Sequence, residues 1–169
     1  SVQLIRGGKA YFDLVQALIN RSRKSLHFQT YIFEEDETGR QLASALAAAA
    51  RRGVQVYLLL DGYGSQNLSR QFLKELEEAG VFFRWFEPLL RGRSYYFGRR
   101  MHHKVMVADG SAGLGGGINV SDRYNDRPGA PAWLDWALYV QGEAARELLY
   151  RCWDFWNRAD LKPHPVQED

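Results

Sequence analysis

Cysteine is nearly absent from this chain: Cys152 is the only one among 169 residues. That excludes an intramolecular disulfide framework and a cysteine-rich zinc site. Long apolar runs are missing too. None approaches the roughly 20 residues that a membrane span needs, and no cleavable leader opens the chain. Charge of one sign is also scarce, since 22 Lys and Arg nearly balance 20 Asp and Glu for a net +2. A protein coated in base for nucleic acid would be more lopsided.

What the chain does have is apolar and aromatic matter, 46% and 14% of its residues. That excludes a disordered polymer and suffices for the core of one domain. We expect one unit over residues 1–169, with a core at about 8–157 and a polar tail at 158–169. The tail fits either an excised piece or a natural end. Cys152 falls on the apolar side of an expected helix and reads as core.

Helical and strand signals alternate through the first half. Phe12, Val15, Leu18 and Ile19 recur at helical spacing within residues 11–24. Residues 26–33 (LHFQTYIF) read as a strand. An alanine-rich helix over 38–52 stops at Gly53, and 54–60 (VQVYLLL) runs as a buried strand into Asp61-Gly62. A helix at 67–79, with Leu68, Phe72, Leu73 and Leu76 inward, precedes a strand at 81–86. Three helix-then-strand units imply an α/β fold with a mixed, mostly parallel β-sheet flanked by helices. Residues 87–100 break the rhythm with Pro88, Gly92, Gly98, four arginines and three aromatics. A loop that long inside a compact domain is often functional. Two strands around Asp109-Gly110, a loop at 121–133, a strand at 136–141 and a helix at 143–157 complete the chain.

The chemistry concentrates in Met101-His102-His103-Lys104-Val105-Met106-Val107-Ala108-Asp109-Gly110 and the following Gly115-Gly116-Gly117-Ile118-Asn119. On a strand, side chains two apart share a face about 6.6 Å from one another. His102 and Lys104 would therefore stand on either side of one phosphate, with His103 turned away. The odd offset sends Asp109 away from His102 as well, into a strong hairpin signal. Asp109 is thus expected to brace the turn and not to act as the base. Gly116 and Gly117 let backbone approach a ligand, and Asn119 offers amide donors. A neutral imidazole near its ordinary pKa of about 6.5 is a competent nucleophile toward phosphorus. The departing alcohol would then need a proton from a second histidine. His27 and His164 lie in unlike contexts, so that group must come from elsewhere. A carboxylate should orient His102, and Asp135, at the start of the last strand, is the candidate. Arg99 and Arg100 either solvate their loop or draw an anionic substrate. No metal set appears, because adjacent strand residues such as His102 and His103 diverge. Asp61-Gly62-Tyr63-Gly64-Ser65 lacks the spacing of a phosphate loop and reads as a turn.

These residues resemble the phospholipase D superfamily. The match lies in its H-x-K-x-x-x-x-D motif, here His102, Lys104 and Asp109, with a trailing G-G-x-N at Gly116, Gly117 and Asn119. The segments Gln29-Thr30-Tyr31-Ile32-Phe33, Arg52-Gly53-Val54-Gln55-Val56, Leu60 to Ser65 and Trp133-Leu134-Asp135 are similar to the first catalytic half of bacterial cardiolipin synthases. The resemblance implies a lobe that needs a second motif-bearing lobe, from a C-terminal half or a homodimer. It also implies phosphodiester transfer or hydrolysis through a phosphohistidine, with no metal and no cofactor. The expected substrate is a phosphatidylglycerol-like phospholipid, met by a peripheral membrane or cytoplasmic protein through a basic aromatic loop at 89–100. The alternative is a single-motif dimeric phosphodiesterase or nuclease of the same superfamily, for which nucleic acid would be the partner. A third reading is a degenerate scaffold lobe, against which the retention of His102, Lys104 and Asn119 argues.

Overall fold

Strands whose two faces are both buried need helices on both sides, and β2 and β3 are of that kind. The computed structural model describes residues 1–86 and 104–158. In order these form β1 (Val2–Arg6), α1 (Lys9–Arg21), β2 (Ser25–Thr30), α2 (Glu37–Arg51), β3 (Gln55–Asp61), α3 (Arg70–Glu78) and β4 (Phe82–Phe86). Then come β5 (Lys104–Ala108), β6 (Ala112–Gly116), a 3-10 turn at Asp122–Tyr124, β7 (Trp136–Gln141) and α4 (Glu143–Arg158). The expected loop at 87–100 and the residues Arg99, Arg100, His102 and His103 lie outside the described residues, as does the tail from 159 onward.

All seven strands join one sheet in the order β1-β7-β6-β5-β2-β3-β4. The helix-then-strand rhythm of the first half gives parallel pairing of β2 with β3 and of β3 with β4. The sheet is mixed, as expected, but not mostly parallel. The pairs β2–β5, β5–β6, β6–β7 and β7–β1 are antiparallel. The physical reason is the connection: no crossover helix intervenes between β5, β6 and β7, and the Asp109-Gly110 turn folds β6 straight back on β5. The edge strand β1 carries no sequence signal of its own. Its residues are mostly exposed, and its place depends on register with β7, from Val2 opposite Val140 to Arg6 opposite Trp136.

The helices α1, α2 and α3 cover one face. Val15, Leu18, Ile19, Leu42 and Leu46 from α1 and α2 pack there with Leu26, Phe28, Val56, Leu58, Leu60, Met106 and Leu114 of the sheet. Local chemistry sets the helix starts. Asp36 accepts from Gly39 N at 2.9 Å at the head of α2, and Ser69 accepts from Phe72 N at 3.2 Å at the head of α3. Among the described residues the other face carries only α4, through Trp156, Trp153 and the buried Cys152. Burial pushes the Cys152 thiol up to about 12, leaving it an inert core group.

His27 lies under α4. It is fully buried, stacked on Tyr57 with centroids 4.6 Å apart and met edge-on by Trp153 at 4.5 Å. Neither ring nitrogen has a hydrogen-bond partner among the described residues. Burial therefore lowers its pKa from 6.5 to about 4. Between those values the unfolded chain takes up a proton that the folded chain refuses, so stability falls as pH drops through that window. The expected loss approaches about 3 kcal/mol by the lower end. Urea midpoints at pH 7 and pH 4.5 should differ by a margin that His27→Leu largely abolishes. The depressed carboxylates Asp109 and Asp122 lose their contributions only below 3.8. An unchanged pH slope in the variant would exclude His27 as the source.

Candidate active site

The site builds outward from the ends of β5, β6 and β7. Lys104 stands at the start of β5 opposite Gly116 in β6. Its Nζ lies 6.0 Å from the centroid of the Tyr31 ring. Burial lowers its pKa, and the negative charge of Asp135 works against that shift. Asp135 immediately precedes β7. Its carbonyl accepts from Gly7 N at 2.7 Å, and its Oδ1 accepts from Trp136 N at 2.7 Å. Gly117 touches the same carboxylate: a Cβ added there would stand 2.7 and 2.8 Å from its two oxygens. A Cβ on Gly116 would stand 2.5 Å from the carbonyl of Trp136. Any side chain at either position would push β7 and its leading carboxylate away.

Asn119 is 4% exposed. Its Oδ1 accepts from Ile32 N at 3.1 Å, and its Nδ2 donates to the Tyr124 hydroxyl at 3.4 Å. The backbone thereby fixes which end of the amide is oxygen, leaving Nδ2 as the donor end. Lys104 and Asn119 thus meet neighbouring parts of one segment, Tyr31 and Ile32. That segment is itself clamped. The Ser65 hydroxyl donates to the Tyr31 carbonyl at 2.9 Å and accepts from Phe33 N at 3.0 Å. Asp61 accepts from the N–H groups of Tyr63 and Gly64, both at 3.0 Å, which forms the turn expected at this segment. The residue after that carboxylate's second partner comes back to Tyr31, so the end of β3 positions the end of β2.

The structure therefore groups Lys104, Gly116, Gly117 and Asp135, and sets Asn119 beside them across Tyr31-Ile32. It separates Asp109, five residues along from Lys104. The Asp109 carboxylate accepts from Arg23 N, Lys24 N and Ser25 N at 2.7 to 3.2 Å. Burial would raise its pKa, but these three donors and the Lys24 charge outweigh that and hold it below the usual carboxylate range. Four more residues contribute to the site: Tyr31, Ile32 and Ser65, which lie in the segments that carry the resemblance but had no role assigned from the sequence, and Tyr124, which had no signal of its own. A second cluster secures the chain beyond Asn119. Asp36 accepts from Asp122 N at 2.7 Å, Asp122 accepts from Thr38 N at 2.9 Å and Thr38 Oγ1 at 2.7 Å, and Arg127 pairs with Asp122 at 3.2 Å.

Chemically, the arrangement offers a half-buried ammonium, a carboxylate and an oriented carboxamide at one end of a rigid sheet. That is a receptor for an anion with a proton-orienting group beside it. Its fold is that of the phospholipase D class. Nuc from Salmonella typhimurium, a phospholipase D family member, superposes with a TM-score of 0.72 at 23% identity, covering 95% of this chain and 96% of Nuc. Phosphatidylserine synthase from Haemophilus influenzae superposes with a TM-score of 0.74 at 15% identity, covering 95% of this chain and 37% of that one.

Residues 15–128 match the family described as cardiolipin synthase, PLD-like domain, and the chain belongs to that family. It is 39% identical over 151 residues to cardiolipin synthase B of Escherichia coli, covering 88% of this chain and 36% of the relative. It is 37% identical over 161 residues to the major cardiolipin synthase ClsA of Bacillus subtilis, covering 94% of this chain and 33% of the relative. The chain thus spans about a third of the length of these curated relatives.

The bracing geometry of Asp109 makes a sharp expectation. Asp109→Ala strands three N–H donors and removes a side chain suited to the positive φ of 54° at this turn. Urea denaturation should show a loss of about 1–3 kcal/mol, with Asp109→Asn losing less. An unchanged midpoint in Asp109→Ala would exclude the bracing role.

Proposed function

We propose that this chain is one catalytic lobe of a phosphatidyltransferase of the cardiolipin synthase type, working through a phosphohistidine. The observation that carries the reading is the spatial grouping of Lys104, Asp135 and Asn119, with Lys104 two residues after His102 in the sequence. The 39% identity to a cardiolipin synthase supports the choice of a phospholipid substrate. In the proposed step a ring nitrogen of His102 forms a bond to phosphorus and the bond from phosphorus to the departing alkoxide breaks. Lys104 and the Nδ2 of Asn119 hold the phosphoryl oxygens as charge gathers on them. Asp135 accepts the other N–H of the imidazole and stabilises its cation. A second histidine, on another lobe, gives its proton to the leaving oxygen. That same group then takes a proton from the incoming hydroxyl, of a lipid glycerol or of water, and the bond between phosphorus and nitrogen breaks. His102 exchanges these two roles if the other lobe begins the reaction.

The lipid is met from the surface in this reading. No helix among the described residues is long and apolar enough to cross a membrane. The arginines and aromatics of residues 89–100 suit a lipid–water boundary, where rings and cations both settle. A second reading, a dimeric single-motif phosphodiesterase or nuclease, is favoured by one observation: this chain and Nuc cover one another almost end to end.

Rapid quenching with a phosphatidylglycerol labelled in its phosphatidyl group should leave acid-labile label on His102. Lys104→Ala and Asn119→Ala should each reduce turnover about 10²- to 10³-fold with the fold intact. An active preparation labelled on another residue would remove His102 as nucleophile. Turnover of bis-p-nitrophenyl phosphate or single-stranded DNA, with none of the lipid, would select the second reading.

A further inference from the structure

Asn119 reaches the site as a buried carboxamide, and such a group aims its N–H donors only if both of its ends are held. The oxygen end is held by Ile32 N, which donates to Oδ1 at 3.1 Å. The nitrogen end carries two N–H donors. One of them goes to the Tyr124 hydroxyl at 3.4 Å, and among the described residues no other side chain meets this nitrogen. Contacts at opposite ends fix the plane of the amide as well as its sense. They thereby fix the direction of the second N–H, which has no acceptor among the described residues.

The hydroxyl that does this is itself firmly placed. Tyr124 ends the 3-10 turn Asp122–Tyr124, and the first N–H of that turn goes to Asp36 at 2.7 Å. The Asp122 carboxylate accepts from Thr38 N and Thr38 Oγ1, while Thr38 Oγ1 accepts from Asn125 Nδ2 at 3.1 Å. The head of α2 therefore grips the chain on both sides of the tyrosine. Its ring packs against the core and meets the Trp133 ring edge-on, with centroids 5.7 Å apart. Trp133 is tied back in turn, its N–H donating to the Arg123 carbonyl at 2.8 Å. Packing alone would ask for a ring and no hydroxyl. The hydroxyl has one partner among the described residues, and that partner is the Asn119 amide.

We propose that Tyr124 is a positioning residue for the phosphodiester reaction: its hydroxyl sets the plane of the Asn119 carboxamide so that the free N–H faces the phosphoryl oxygen. A donor oriented before the substrate arrives needs no reorganisation as charge gathers on that oxygen. The role in the reaction rests on the phosphohistidine reading; the anchoring of the amide does not. The rival role is direct donation, since the Tyr124 hydroxyl proton has no acceptor among the described residues and could itself reach the substrate.

The test reads the Asn119 amide directly, in isotope-edited amide spectra of the whole chain, with the side-chain pair assigned by its loss in Asn119→Ala. Tyr124→Phe keeps the ring and removes the hydroxyl. It should shift one proton of the pair far more than the other, with unchanged circular dichroism. Inorganic phosphate should shift the second proton in the wild type. A folded Tyr124→Phe that leaves the pair unmoved overturns the proposal. If that variant fails to fold, a fluorotyrosine at position 124, whose more acidic hydroxyl is a poorer acceptor, should move the same proton by less; no movement overturns the proposal there too. Phosphate that moves neither proton, with Tyr124→Phe still moving one, leaves the anchoring in place and removes the phosphoryl-binding reading. In turnover by the active enzyme, Tyr124→Phe should lower kcat about 10-fold, as expected for one hydrogen bond, with KM within about 2-fold. Added to Asn119→Ala it should cost nothing further, because the group it positions is gone. An equal cost in that background makes Tyr124 a direct donor and overturns the positioning role.

Discussion

The contact between the Gly116-Gly117 backbone and the residues that open β7 governs the rest of the site. Two successive positions without side chains let β6 and β7 approach until the Asp135 carboxylate lies against the Gly117 Cα. From there its charge reaches Lys104 and opposes the effect of burial on that ammonium. The carbonyl of Asp135 also ties back to Gly7, between β1 and α1. One close approach therefore fixes a carboxylate, a cation and the edge of the sheet together. Side chains held in that way need little reorganisation when a charged group arrives.

A second level of organisation keeps the other wall in place. Asn119 is oriented by a backbone N–H from the residues following β2, and those residues are clamped by Ser65 after β3. Past Asn119 the chain is bound to the head of α2 through Asp36, Thr38 and Asp122. The two parallel strands of the first half thus end in loops that hold a residue of the antiparallel second half. Fold and site share one framework here, which is why the family likeness extends through residues 15–128 and not only through the short motif.

Much of this was readable from the chain. Phe12, Val15, Leu18 and Ile19 recur at helical spacing because they face the sheet from α1, and all four are buried. The Asp109-Gly110 pair turns β5 into β6 because Asp109 tolerates a left-handed backbone and Gly110 requires no side chain there. The error over strand direction arose from extending the helix-and-strand rhythm of the first half to β5, β6 and β7, which follow one another without crossover helices. The strand β1 was silent because its apolar residues serve a partner strand at the far end of the chain. Within the site, Lys104, Gly117, Asn119 and Asp135 stand out by type and spacing. Tyr31, Ile32 and Ser65 do not, since they act through a ring face, a backbone N–H and a hydroxyl whose use depends on tertiary distance. No periodicity encodes that.

The pairing of β1 with β7 has a bearing on how the protein is made. Strand β1 can be completed only when residues 136–141 exist, and the Ser1 carbonyl accepts from Gln141 N. The parallel β2-β3-β4 unit between them can form on the ribosome while β1 still waits unpaired. Closure of the sheet is a late, non-local event, and such events slow folding and lengthen the exposure of a sticky edge. Nascent chains of this protein should therefore depend on chaperones most in the interval before β7 emerges.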